Sequence, residues 1–115
     1  MPSSLPAADH DSVDLEHLQR TTFGDAGLER EVLTMFVMQA VRLVGRLGTL
    51  PPDAGALAHT LKGAARAIGA FRVADCSAAL EAAIRDSGDP SQALTNLNAA
   101  VAQACAAINA ILDRA

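Results

Sequence analysis

Apolar positions recur every three to four residues along most of the chain, and nowhere do they alternate in twos. Leu28, Val32, Met35, Phe36, Leu43 and Leu47 lie close to a repeat of about 3.6 residues and predict a long helix over 28–47. Asp25 is placed to cap its start, and Gly48 with Pro51 and Pro52 ends it. Upstream, "DLEHLQRTTFG" predicts a short helix begun by Asp14 and finished near Gly24. Downstream, Asp53 can cap a helix that stops near Gly69. The next helix runs over 71–86 with Val73, Cys76, Leu80, Ala83 and Ile84 as its apolar stripe. "SGDPSQ" then reads as a turn and a helix start, with Asp89 as N-cap, Pro90 at N1 and Gln92 at N3 of a capping box. The last helix carries Leu94, Leu97, Val101, Ala104, Ile108, Ile111 and Leu112.

Short connections between long helices make sequential helices antiparallel neighbours. The expected fold is all-α: an antiparallel up-down-up-down four-helix bundle, with the short additional N-terminal helix across one end. An α-hairpin array is the alternative. Residues 1–11 hold prolines and small polar residues without periodicity and read as a flexible tail. The bundle domain is then 12–115.

Composition supports helix. Half of the 115 residues are apolar, many of them alanine, and Trp and Tyr are absent. The net charge of −4 excludes a basic face that would dominate nucleic-acid binding. The start has neither the basic nor the apolar run of a signal peptide, and no stretch approaches the ~20 apolar residues of a membrane span. A cytoplasmic protein with no membrane contact is expected. Cys76 and Cys105 lack metal-ligand spacing and read as small buried side chains.

Lys62 is the only lysine; every other basic side chain apart from histidine is arginine. It belongs to "ALAHTLKGAARAIGA", residues 56–70, which also places a glycine inside a helix. With His59 at zero on a helical wheel, Lys62 falls at about −60°, Gly63 at about +40° and Arg66 at about −20°. Leu57, Leu61, Ala64 and Ile68 fall within roughly 40° of the opposite side and form the core stripe. His59 therefore faces water. A glycine within a helix costs roughly 1 kcal/mol against alanine. Its place beside His59 indicates that another molecule approaches the backbone there.

These residue types have a shared chemistry. A free imidazole has a pKa of about 6.5 and is largely neutral, hence nucleophilic, at pH 7. A lysine three residues on can hold its ammonium near a dianion on that ring, and Arg66 adds positive potential. The set fits a phosphoryl group passing on and off His59. A metal site is disfavoured, because His59 has no second ligand at i+3 or i+4 and Lys62 would repel a cation. No Ser/His/Asp set, paired carboxylates or phosphate-binding loop can be read, so no ATP-dependent chemistry is expected.

"AHTLKGAARAIGA" resembles the signature of histidine-containing phosphotransfer (HPt) domains in His59, Leu61, Lys62, Gly63, Ala64, Ala65, Ile68 and Gly69. "VDLEHLQRTTFGDAGLEREVLTMF" resembles the opening helices of that family, and "ADCSAALEAAIR" the helix after the signature. The resemblance implies a bacterial phosphocarrier rather than an enzyme. Its phosphoacceptor would be His59, through Nε2. Lys62 would stabilise the phosphoryl group, and Gly63 would admit the partner. The resemblance assigns Arg66 no fixed role; a phosphate or partner contact and a plain solvated charge are equally open for it. The implied partners are receiver domains of hybrid sensor histidine kinases and response regulators. The chain would hold no cofactor of its own, the Mg²⁺ belonging to the receiver. A monomer is expected.

His10 and His17 read as ordinary surface residues. Leu15 and Leu18 read as packing across the bundle end, and Glu81 as a surface or helix-pairing charge. Two other functions remain open. One is a docking module that works without phosphorylation; the other is a helical adaptor that dimerises through Met35 or Met38. The Met1 start and the single-domain length argue against an excised piece of a chemotaxis-type kinase.

Overall fold

The computed structural model describes residues 12–114; the expected tail and His10 lie outside them. Five helices account for most of this span: α1 (Leu15–Thr21), α2 (Ala26–Leu47), α3 (Ala54–Ile68), α4 (Phe71–Arg85) and α5 (Ser91–Asp113). No strand occurs among the described residues. No helix among them is long and apolar enough to cross a membrane.

The four longer helices form a closed ring of contacts: α2 on α3, α3 on α4, α4 on α5, and α5 back on α2. The short α1 packs on α3. Leu18, Leu33, Leu47, Leu61, Leu80, Leu97 and Ile108, drawn from all five helices, are fully buried. Burial of these large side chains, at about 1.5–3 kcal/mol each, is the main favourable term holding the helices together. Leu18 belongs to this core, and Leu15 packs against it half-buried.

Two expected core positions are outside it. Leu28 and Met35 are exposed, because the stripe of α2 follows Leu33, Phe36, Ala40, Leu43 and Leu47 instead. On α4 the buried positions are Val73, Ala74, Ser77 and Leu80, while Cys76, Ala83 and Ile84 are half-buried. The buried stripe of α4 is thus turned slightly from the expected one, toward the small side chains of Ala74 and Ser77.

The caps show which local signals operate. Asp14 accepts a hydrogen bond from His17 N at 3.1 Å, and Asp25 accepts one from Leu28 N at 3.0 Å. Asp53 precedes α3 but makes no cap bond; its carboxylate pairs with Arg46 at 3.2 Å. α5 starts one residue later than expected, with Pro90 rather than Asp89 at its N-cap and no side-chain cap bond, although Asp89 Oδ1 accepts from Ser91 N at 2.9 Å. The reciprocal half of the capping box is absent, because Gln92 donates to Asn96.

The α3–α4 corner turns on Gly69, whose φ of 84° is left-handed. A side chain there would meet the Asp14 carbonyl oxygen at 2.8 Å. That closeness serves a bond: Asp14 N donates to Gly69 O at 2.9 Å and ties the start of α1 to the corner. At the other end of the chain, Arg30 donates to Leu112 O at 2.9 Å, joining the second turn of α2 to the last turn of α5.

Candidate functional site

The wheel separates α3 into two faces, and the structure places them accordingly. Leu57, Leu61 and Ile68 are buried, with Ala64 half-buried beside them. His59, Gly63 and Arg66 are exposed, and the His59 side chain is 66% accessible. An Ala-rich α3 makes this possible. Ala54, Ala58 and Ala65 are buried in α3, and Ala74 and Ser77 in α4. Small side chains at a helix contact let the axes approach closely.

That approach brings a carboxylate from α4 onto the α3 surface. Glu81 Oε2 lies 3.0 Å from His59 Nδ1, and Glu81 Oε1 accepts from Lys62 Nζ at 2.9 Å. One side chain thus engages both the histidine and the lysine. The bond from Lys62 holds the Glu81 carboxyl below the ordinary glutamate range; partial burial opposes this, and the His59 bond adds to the lowering. The anionic carboxylate is acceptor-only, so the bond to His59 requires the proton on Nδ1. In the neutral ring the lone pair is then on Nε2.

Glu81 is the site residue that sequence reading assigned only to surface or helix pairing. A signal for it exists: His59 and Glu81 are equidistant in sequence from Ala70, at the corner between α3 and α4. A hairpin folded at that corner brings them level.

Lys62 is only 18% accessible and is spent on Glu81. The Arg66 side chain makes no hydrogen bond or ion pair among the described residues and is exposed to solvent. At Gly63 an added Cβ would meet no atom within 4 Å. Nothing among the described residues therefore demands that glycine. Ala56 and Ala67 are exposed on the same side of His59, so the surface beside the imidazole is low. Among the described residues no three His, Cys, Asp or Glu side chains gather where they could hold a metal ion.

The remaining singled-out residues lie elsewhere. His17 on α1 sets its ring edge-on to Phe71, with centroids 5.2 Å apart. Cys76 and Cys105 are free and half-buried, and burial pushes both thiols up.

The Hpt domain family model matches residues 31–114, well over half of the chain. The chain belongs to the Hpt domain family. Comparison with curated proteins finds no match. Hpt domains carry phosphoryl groups on histidine in phosphorelay signalling rather than acting as kinases, and they interact with receiver domains of two-component systems.

Proposed function

We propose that His59 of this Hpt domain is the phosphoacceptor, taking the group from a receiver aspartate and returning it to another. The observation that carries this reading is the His59–Glu81 contact, which leaves Nε2 with a lone pair at an open surface. In the forward step the Nε2 lone pair forms an N–P bond while the P–O bond of the aspartyl phosphate breaks. The aspartate leaves as a carboxylate. His59 keeps its Nδ1 proton, and Glu81 stabilises the positive charge that the ring gains as the N–P bond forms. Reversal of the same step discharges the group.

Lys62 acts through Glu81, which it anchors, and its ammonium adds positive charge near the transferred phosphoryl group. Arg66 contacts the partner or the phosphate. Gly63, with exposed Ala56 and Ala67, leaves room for the receiver to bring its aspartate against Nε2. Mg²⁺ and the acidic cluster that binds it are assigned to the receiver. The chain works as a cytoplasmic carrier between a hybrid sensor kinase and a response regulator, with no ATP-dependent activity of its own. Its four long helices run up-down-up-down; the Arg30–Leu112 bond and the His59–Glu81 contact support that order.

The test is direct. Incubation with a receiver phosphorylated on its aspartate should transfer acid-labile, base-stable phosphate to the wild-type chain. His59→Gln and His59→Ala should take up none while keeping the helical spectrum. Labelling retained in those variants overturns the assignment.

A further inference from the structure

α2 carries a patterned face that no contact among the described residues covers. Leu28, Glu31, Met35, Met38, Arg42 and Gly45 are all exposed, the two methionines at 68% each. At about 100° per residue the six fall within an arc of about 100°. The buried stripe of α2 lies on the other side. Neither Glu31 nor Arg42 makes a hydrogen bond or ion pair among the described residues.

The order of these residues is self-complementary. Leu28 and Gly45, Glu31 and Arg42, and Met35 and Met38 are each equidistant from the midpoint between Phe36 and Val37. A two-fold axis through that midpoint, perpendicular to α2, pairs the helix with an antiparallel copy of itself. Glu31 then faces Arg42 of the second copy, twice over. Met35 faces Met38 of the second copy, and Leu28 lies against the bare backbone of Gly45. A Cβ on Gly45 would meet no atom of the described residues within 4 Å, so packing among them does not require a glycine there. A shallow depression lined by Arg30, Glu31, Thr34 and Met35 lies where the pairing sets Met38 of the second copy.

We propose that this face of α2 is a self-association surface, through which two copies of the chain pair antiparallel with two-fold symmetry. An isologous contact needs one patch complementary to itself, which the acid–Met–Met–base order supplies. One helix face per copy is at the small end of specific interfaces, so the dimer is weak, with a Kd of about ten micromolar to about a millimolar. The monomer expected from the sequence is the state at low concentration.

Sedimentation velocity from about 10 μM to about 1 mM tests this. The average mass of the wild-type chain should climb toward that of a dimer. Glu31→Arg alone sets two arginines against two others, and Arg42→Glu alone sets glutamate against glutamate. Each should weaken association at least about tenfold. An equimolar mixture of these two variants regains both ion pairs and should associate as a heterodimer. Met38→Lys should stay monomeric with unchanged helicity, since its side chain is exposed. A wild-type chain that remains monomeric throughout overturns the proposal. So does association that ignores the charge variants, or a mixture that stays monomeric. A monomeric wild type whose Met38→Lys variant loses phosphotransfer assigns the face to the receiver instead and also overturns it.

Discussion

Glu81 on α4 places one carboxylate oxygen 3.0 Å from His59 Nδ1 and the other 2.9 Å from Lys62 Nζ, although both partners belong to α3. The histidine and the lysine one turn later are coupled through a third side chain from the neighbouring helix.

Replacing Glu81 should therefore damage His59 without touching it. Glu81→Ala removes an acceptor worth about 1.5–3 kcal/mol to a charged partner, or about ten- to a hundredfold in transfer rate. Glu81→Gln keeps a neutral acceptor and should lose less. The ¹⁵N spectrum of the His59 ring reports the mechanism, with the Nδ1–H tautomer dominant in the wild type and mixed tautomers in Glu81→Ala. An unchanged tautomer population alongside a slowed reaction would remove the positioning role.

The same carboxylate makes stability depend on pH. Its folded-state pKa is lowered by Lys62, so its contribution is complete above the unfolded value of about 4.3 and is lost as pH falls through the folded value. The Tm difference between wild type and Glu81→Gln should shrink between about pH 5 and pH 3. A difference that stays constant over that window would show that the charge of Glu81 adds nothing to folding.

Gly63 should separate stability from function. Because a Cβ there meets no atom of the described residues within 4 Å, Gly63→Ala should raise stability by about 0.5–1 kcal/mol. Thermal melts should show a Tm higher by a few degrees. Gly63→Gln should also fold, yet transfer phosphate more slowly because its side chain projects beside His59. Wild-type transfer rates in Gly63→Gln would refute the clearance role.

Gly69 should behave in the opposite way. A side chain at φ 84°, set 2.8 Å from the Asp14 carbonyl oxygen, forces the α1 contact apart. Gly69→Ala should cost at least about 1–2 kcal/mol. Labelling of His59 well below the lowered Tm should remain close to normal, since the corner holds the fold rather than the reacting atoms. A Tm equal to wild type would show that the corner relaxes freely.

Much of this was legible in the chain. The helix spans follow from periodicity with Asp14, Asp25 and Gly69 as punctuation, and these act over one turn of backbone. Asp53 misled for a local reason: a free carboxylate before a helix caps it unless a stronger partner is near, and Arg46 is near only in the folded molecule. Leu28 and Met35 misled because a 3.6-residue repeat fixes a phase only to within one neighbouring position. On α2 two adjacent stripes are apolar, and packing against the ring of helices selects Leu33 and Ala40 over them.

The sequence by itself determined the helical class, the solvent-facing set of His59, Gly63 and Arg66, and the presence of a glycine inside the helix on that face. Those are properties of one helix, set by angles between residues a few positions apart. Only the tertiary structure decided that Lys62 is committed to Glu81, and that Glu81 sets the proton on Nδ1 of His59. That decision depends on how closely α3 and α4 approach, which the small side chains at their contact set together and no single residue shows alone.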